Sequence, residues 1–375
     1  MKVIPRILIL TAGYGNGHVQ ASKALQEQFE SQGIQQVTTL DLMKEGHPFL
    51  NTISISLYNK SAQISRMGLD YYGWSYYWTR EAEHNALINR SFNNLGRKKL
   101  IQHIQNGQPD IIVSTFPFGS APEVCSSFGI RNYTVLTDYA LHSRWIHPKV
   151  DKYYVATEEL KQQIMRKGFS PDRIEVSGIP IRRQFDELRS DRRLLLEMSM
   201  KPNILIIAGD DGISPYMDHM VYALSAIGDN RVTIVCGRNE KLKIRLDAQF
   251  SSAPDLQILG YVNHLHELMS QASCVITKAG GLTLTEAIAV CTPIFIFKPY
   301  AGQEKENAIF LSQRGVALIS HHVEELAAQV QRLLANPMLA EEMRNCMLAL
   351  NKKRAASTIV HSIVESFGEP VPLSV

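Results

Sequence analysis

Two stretches of this chain carry residue types that do chemistry at the spacing chemistry needs. The first is Lys278-Ala279-Gly280-Gly281-Leu282-Thr283-Leu284-Thr285-Glu286-Ala287. It follows the apolar run Cys274-Val275-Ile276-Thr277, which reads as a buried strand, and it enters residues 283–290, which read as a helix. Glycines at such a junction leave the first backbone N–H groups of the helix bare. Bare N–H groups at the positive end of a helix dipole hold an anion, and phosphate fits. Glu286 falls about five residues into the helix, roughly 7 Å along its axis. That is close to the span from a diphosphate to its ribose, so the carboxylate is placed to accept from ribose hydroxyls. After a second strand at 293–298 comes Pro299-Tyr300-Ala301-Gly302-Gln303-Glu304-Lys305-Glu306-Asn307, in which Gln303, Glu306 and Asn307 can grip sugar hydroxyls. An ordinary strand–turn–helix unit with a solvated loop would explain the glycines alone. Gly-Gly…Glu together with Gln…Glu-Asn at strand ends of one sheet points instead to a nucleotide-sugar site.

The second stretch is Thr11-Ala12-Gly13-Tyr14-Gly15-Asn16-Gly17-His18, set between the strand-like run Ile7-Leu8-Ile9-Leu10 and a helix over 21–30. It approaches a dinucleotide fingerprint, with Asp41 as the ribose acid. The spacing fails, because Gly13-x-Gly15-x-x is followed by His18 where the fingerprint needs a third glycine. The exchange puts an imidazole at a strand's carboxyl end, where α/β sheets place their ligands. The positive end of the following helix disfavours imidazolium, so His18 is kept neutral, as a general base must be. Asp138, at the end of a strand over 133–137, satisfies the same strand-end argument and competes for the base role. Alternatively, His18 only hydrogen-bonds its loop or a donor phosphate.

The elements that must hold these residues are two series of strand–loop–helix units, opening at Ile7 and at Ile204. This predicts an α/β architecture of two Rossmann-like domains facing across a cleft. The first spans 1–190 and is joined by a C-terminal helix at 355–375; the second spans 200–354. The loop Ala208-Gly209-Asp210-Asp211-Gly212 lies between strand and helix at the start of the second domain. Thr157 is expected to cap a helix. Between 47 and 99, Tyr58, Tyr71, Tyr72, Trp74, Tyr76, Tyr77 and Trp78 are interleaved with Lys60, Arg66, Arg80, Arg90, Arg97, Lys98 and Lys99. Aromatics with a polar edge beside basic residues suit an anionic membrane interface. The same rings could instead pack a helical subdomain.

Gly280-Gly281…Glu286 followed by Gly302-Gln303-Glu304…Glu306-Asn307 resembles the donor site of a GT-B glycosyltransferase family. That family holds the bacterial processive diacylglycerol glucosyltransferases, the plant monogalactosyldiacylglycerol synthases and, more distantly, the lipid II-forming N-acetylglucosaminyltransferase. The likeness extends over nearly the whole chain and is greatest to the diacylglycerol glucosyltransferases. It implies a GT-B fold and transfer of glucose from UDP-glucose to 1,2-diacylglycerol with inversion to a β-linkage. Repetition on glucosyldiacylglycerol would give membrane glycolipids and lipoteichoic acid anchors. The resemblance assigns Gly209, Tyr261, Val262, Gly280, Gly281, Thr283, Glu286, Gln303, Glu306 and Asn307 to the donor. It assigns Gly15, Gly17 and His142 to the acceptor side, with Tyr71, Trp74 and Trp78 at the membrane, and His18 or Asp138 to catalysis. It implies no cofactor and no divalent metal. Asp210 and Asp211 depart from the family by putting negative charge where a diphosphate would lie nearby.

The bulk numbers agree with a peripheral membrane enzyme. The 375 residues are ample for two domains, and 39 Lys+Arg against 36 Asp+Glu leave a net charge of +3, no nucleic-acid signature. Five cysteines, Cys125, Cys236, Cys274, Cys291 and Cys346, show no CxxC spacing, which points to a reducing cytoplasm and no structural zinc. His142 and His147 are five apart, off the spacing of one helical face, so they are read as lining and not as metal ligands. No secretory leader and no membrane-spanning apolar run is expected, which places the chain on the cytoplasmic face of the membrane. Rival functions are a diacylglycerol galactosyltransferase, a polyprenyl-lipid glycosyltransferase, a UDP-sugar 2-epimerase and a UDP-sugar sensor without turnover. Glu306 and Asn307 could hydrogen-bond glucose or galactose alike.

Overall fold

The computed structural model describes residues 4–13, 16–46, 96–188, 201–209 and 213–367. The chain folds into two compact units, which divide at 183/184 and at 351/352. Each is built on a six-stranded, wholly parallel sheet.

The first sheet comprises β1 (Ile7–Thr11), β2 (Val37–Asp41), β3 (Ile111–Ser114), β4 (Arg131–Val135), β5 (Lys152–Val155) and β6 (Ile174–Val176), in the order β2-β1-β3-β4-β5-β6. The second comprises β7 (Asn203–Ile207), β8 (Arg231–Val235), β9 (Leu256–Leu259), β10 (Cys274–Thr277), β11 (Ile294–Phe297) and β12 (Ala317–Ser320), in the order β12-β11-β10-β7-β8-β9. Parallel strands need helical crossovers, and helices then cover both sheet faces. The inner strands accordingly read as unbroken apolar runs, ILILT in β1, IIVS in β3, CVIT in β10 and IFIF in β11, with every residue buried. The edge strands β2 and β9 are only partly covered.

Strand order fixes where ligands go. In each sheet the first strand pairs on one side with the next strand in sequence and on the other with a later one. In the first sheet this reversal falls between β1 and β3, with Ile7 opposite Ile111. In the second it falls between β7 and β10, with Ile204 opposite Cys274. Crossovers leave such a pair toward opposite faces and open a crevice at its carboxyl ends. Both stretches singled out in the sequence lie at those ends.

The C-terminal helix, Ala355–Phe367, belongs to the first unit. It buries Ile359, Val360 and Ile363 in the cluster that holds Ile7, Ile9, Leu25 and Phe29. Ser362 Oγ accepts from Tyr154 Oη at 3.1 Å, and Ser366 Oγ lies 2.7 Å from Tyr133 Oη. Where this helix begins, Gly178 has φ +88, and a Cβ there would stand 2.6 Å from Lys352 Cβ. Only glycine meets both conditions.

Three helix starts differ from the sequence expectation. The first helix runs Asn16–Ser31, so His18 lies in its first turn and not at the end of a loop. The helix after β10 begins at Gly281, and the one after β11 at Gln303. Asn16, Gly17 and Gly281 are weak helix formers and hide the first two starts from propensity, whereas the third opens with Gln303-Glu304-Lys305-Glu306, which propensity favours. Thr157 caps the helix Glu158–Met165 as expected, its hydroxyl accepting from Leu160 N. Gly15, Asp210, Asp211, residues 47–95 with Tyr71, Trp74 and Trp78, and residues 368–375 lie outside the described residues.

Candidate active site

In the second unit, β10 ends at Thr277 and the turn Lys278-Ala279-Gly280 leads into the helix Gly281–Ala289. Gly280 is its N-cap, with φ −72 and ψ 126, and no side chain caps it. Among the described residues, a Cβ on Gly280 would meet no atom within 4 Å. Neither backbone strain nor packing demands glycine here, so its absent side chain leaves room for something to approach the helix end. Gly209, at the end of β7, has φ +61, and a Cβ there would lie 3.6 Å from Lys278 Cε. The loops of β7 and β10 therefore meet, with the Lys278 side chain between them.

Lys278 Nζ stands 3.5 Å from Glu304 Oε1. Glu304 Oε2 is buried with no hydrogen-bond partner among the described residues, an acceptor left over for a ligand hydroxyl. Asn307 is buried and its Nδ2 donates to Ala279 O at 3.1 Å, so it braces the glycine turn. Gln303 and Glu306 sit half-buried in the first turn of Gln303–Gln313, which Gly302 opens at φ +90. Glu286 is buried on the Gly281–Ala289 helix, while Thr283 on its first turn is half-buried. Beyond β9, Tyr261 is exposed with the Arg238 guanidinium 5.7 Å from its ring centroid, and Val262 follows half-buried. Lys298 is engaged elsewhere: its Nζ is 2.8 Å from Tyr216 Oη. The structure thus brings Gly209, Gly280 and Asn307 together and adds Lys278 and Glu304. Both lay inside the stretches already singled out, but nothing in the sequence says that they pair across two loops.

In the first unit, Gly17 and His18 open the Asn16–Ser31 helix. His18 Nδ1 is 2.9 Å from Thr115 O, just beyond β3, and 2.9 Å from Thr137 Oγ1, just beyond β4. Ser22 Oγ donates to His18 O at 3.0 Å and lies 2.7 Å from Thr115 Oγ1, which ties the helix's first turns to the end of β3. Phe116 stands edge-on to the imidazole at 5.1 Å between centroids, and Trp145 is tilted beside it at 6.3 Å. Burial pushes the His18 imidazole down to about 4, and the bond to the Thr115 carbonyl works against that shift. The ring is neutral at pH 7, as expected, with desolvation as the leading cause.

Asp138 follows Thr137 and is buried. His142 is buried too, and its Nδ1 accepts from Arg144 N at 3.1 Å, so it caps the short turn Ser143–Trp145. His147 Nδ1 accepts from Lys149 N at 3.2 Å. The two histidines serve separate local turns. Thr115 and Thr137 were missed as functional residues; no local pattern marks a hydroxyl that meets a histidine through sheet order.

Comparison with known proteins covers nearly the whole chain. Residues 18–181 match the family model for monogalactosyldiacylglycerol (MGDG) synthase, and residues 204–359 match the glycosyltransferase family 28 C-terminal domain. The chain is 38% identical to the processive diacylglycerol beta-glucosyltransferase of Bacillus licheniformis, over 97% of this chain and 96% of that protein. The chain belongs to that family. The enzyme of the same name from Bacillus subtilis is 37% identical over 97% and 96% of the two chains. Acinetobacter baumannii MurG superposes with a TM-score of 0.63 at 18% identity, covering 96% of this chain and all of that one. UDP-GlcNAc 2-epimerase from Neisseria meningitidis, solved with UDP-GlcNAc bound, gives 0.61 at 12% identity, covering 96% and 99%. These structures share the GT-B-like fold of paired Rossmann sheets, and the family membership makes the chain a glycosyltransferase.

Proposed function

We propose that this enzyme transfers glucose from UDP-glucose to the hydroxyl of 1,2-diacylglycerol, with inversion, and repeats the step on glucosyldiacylglycerol. The observation that carries the reading is the His18 imidazole, which is neutral and held by its Nδ1 edge at the β1/β3 crevice. A lipid hydroxyl is a poor nucleophile until its proton is removed. As its oxygen bonds to the anomeric carbon, the proton passes to His18 Nε2. The bond from that carbon to the diphosphate breaks, and its electron pair leaves on UDP. Asp138 is the competing base.

The donor is read onto the β7/β10 crevice. The diphosphate lies on the uncapped helix end at Gly280 and Gly281, with Lys278 adding positive charge. Glu286 takes the ribose, the segment at Tyr261 and Val262 takes the base, and Gln303, Glu304 and Glu306 take the sugar. Helix dipole and lysine supply the charge that a divalent cation would otherwise bring, so the reaction is proposed to need no metal. The stretch with Tyr71, Trp74 and Trp78 is the proposed contact with anionic lipid, on the cytoplasmic face. Among the described residues no helix is long and apolar enough to cross a membrane.

Pure protein with diacylglycerol in anionic vesicles, offered UDP-glucose, UDP-galactose or UDP-N-acetylglucosamine, tests the reading when the lipids are resolved by mass. Glucosyl- and diglucosyldiacylglycerol should form from UDP-glucose, with or without EDTA, and the protein should co-sediment with the vesicles. Galactolipid in place of glucolipid, or an epimerised UDP-sugar with no lipid product, would overturn it.

A further inference from the structure

The donor reading rests on the family resemblance; what holds the histidine does not. His18 Nδ1 has two oxygens at 2.9 Å, the Thr115 carbonyl and the Thr137 hydroxyl. A carbonyl oxygen only accepts, so Nδ1 carries the proton, and a lone pair there would face the carbonyl's own. The Thr137 hydroxyl then meets the same N–H as a second acceptor. Thr137 is buried just beyond β4, two strands from the helix that carries His18, because β3 lies between β1 and β4. Nε2 makes no hydrogen bond among the described residues.

We propose that Thr137 is a positioning residue for His18: with the Thr115 carbonyl it keeps the proton on Nδ1 and presents Nε2 as the atom that takes the acceptor's proton. This rests on the reading of His18 as the base. When Nε2 is protonated, the positive charge is shared over both ring nitrogens. Two oxygens already aimed at Nδ1 then stabilise that charge without rearrangement. The carbonyl cannot be removed by substitution, but the hydroxyl can.

Thr137→Val keeps the shape and removes the oxygen, and Thr137→Ser keeps the oxygen. The Val variant should lose about tenfold or more in kcat, with the KM for UDP-glucose and the affinity for UDP unchanged. The Ser variant should restore most of the rate. ¹⁵N spectra of the His18 ring, which need no turnover, should show Nδ1 protonated in the wild type and in Ser, and a mixed tautomer in Val. Should Val fail to fold, Thr137→Ala removes the same oxygen without adding bulk and is read in the same way. A Val or Ala variant with full kcat and an unchanged ring spectrum overturns the positioning role. His18→Ala is measured alongside: if it retains the wild-type rate, the base reading itself fails, whatever Thr137 does.

Discussion

The two crevices use one topological device for opposite ends. At β7/β10 the backbone is laid open: Gly280 has an unfilled side-chain position, the helix behind it has no cap, and Lys278 stands between two loops. At β1/β3 the crevice holds a half-buried ring. Phe116 and Trp145 stand beside the imidazole, and one hydroxyl and one carbonyl take its Nδ1 edge. An anion needs N–H groups and positive charge that are free to receive it. A base needs the reverse, a ring that is uncharged before the reaction and carries a fixed proton on its far nitrogen. Strand order supplied both places, and local residue choice made one of them suited to an anion and the other, on the proposed reading, to taking a proton.

That division can be broken residue by residue. The largest effect is expected from His18→Ala, which should cut kcat about 10²-fold or more in steady-state assays on diacylglycerol vesicles. A loss below about fivefold that coincided with abolished turnover in Asp138→Asn would move the base to Asp138. Next is Glu286→Gln, which keeps volume and removes charge from the proposed ribose site. UDP affinity in calorimetry should fall about tenfold, or about 1.4 kcal/mol, with His18 chemistry intact. Unchanged UDP affinity would remove Glu286 from the donor site.

Smaller effects sharpen the contrast. Gly280→Ala puts a methyl where none of the described residues has an atom within 4 Å, so the thermal midpoint should move by no more than a few degrees. Crowding the bare N–H groups should still weaken UDP binding by roughly 0.3–1 kcal/mol; equal UDP affinity would mean that no anion approaches there. The last effect is on stability. The unfolded chain protonates His18 near pH 6.5, while the native ring resists until about pH 4. The unfolded state therefore binds more protons in that window, and native stability falls as pH drops through it. Urea midpoints at pH 7 and pH 5 should differ less in His18→Gln than in the wild type, and an identical difference would show that the ring is not desolvated.

Much of this was legible in the sequence, and the reasons are local. Strands buried on both faces must be apolar throughout, so ILILT, IIVS, CVIT and IFIF stood out. Gly280-Gly281 ahead of a helix is a statement about backbone, readable without neighbours. What failed to show was whatever depends on sheet order. Thr115 and Thr137 reach His18 across 97 and 119 residues, and Asn307 reaches Ala279 across 28. Asn307 reads as a sugar ligand because an amide near a strand end suits one; what the sequence does not show is that one of its N–H groups braces the glycine turn. The early start of the Asn16–Ser31 helix was hidden by Asn16 and Gly17, whose low propensity is overridden by the tie from Ser22 to Thr115.

The claim that one crevice moves the proton while the other holds the nucleotide is tested most directly by titrating UDP into the His18→Ala protein in a calorimeter. The account predicts wild-type UDP affinity in a protein whose turnover has fallen about 10²-fold. A loss of UDP affinity in step with the loss of turnover would contradict it, because His18 would then belong to the nucleotide's site.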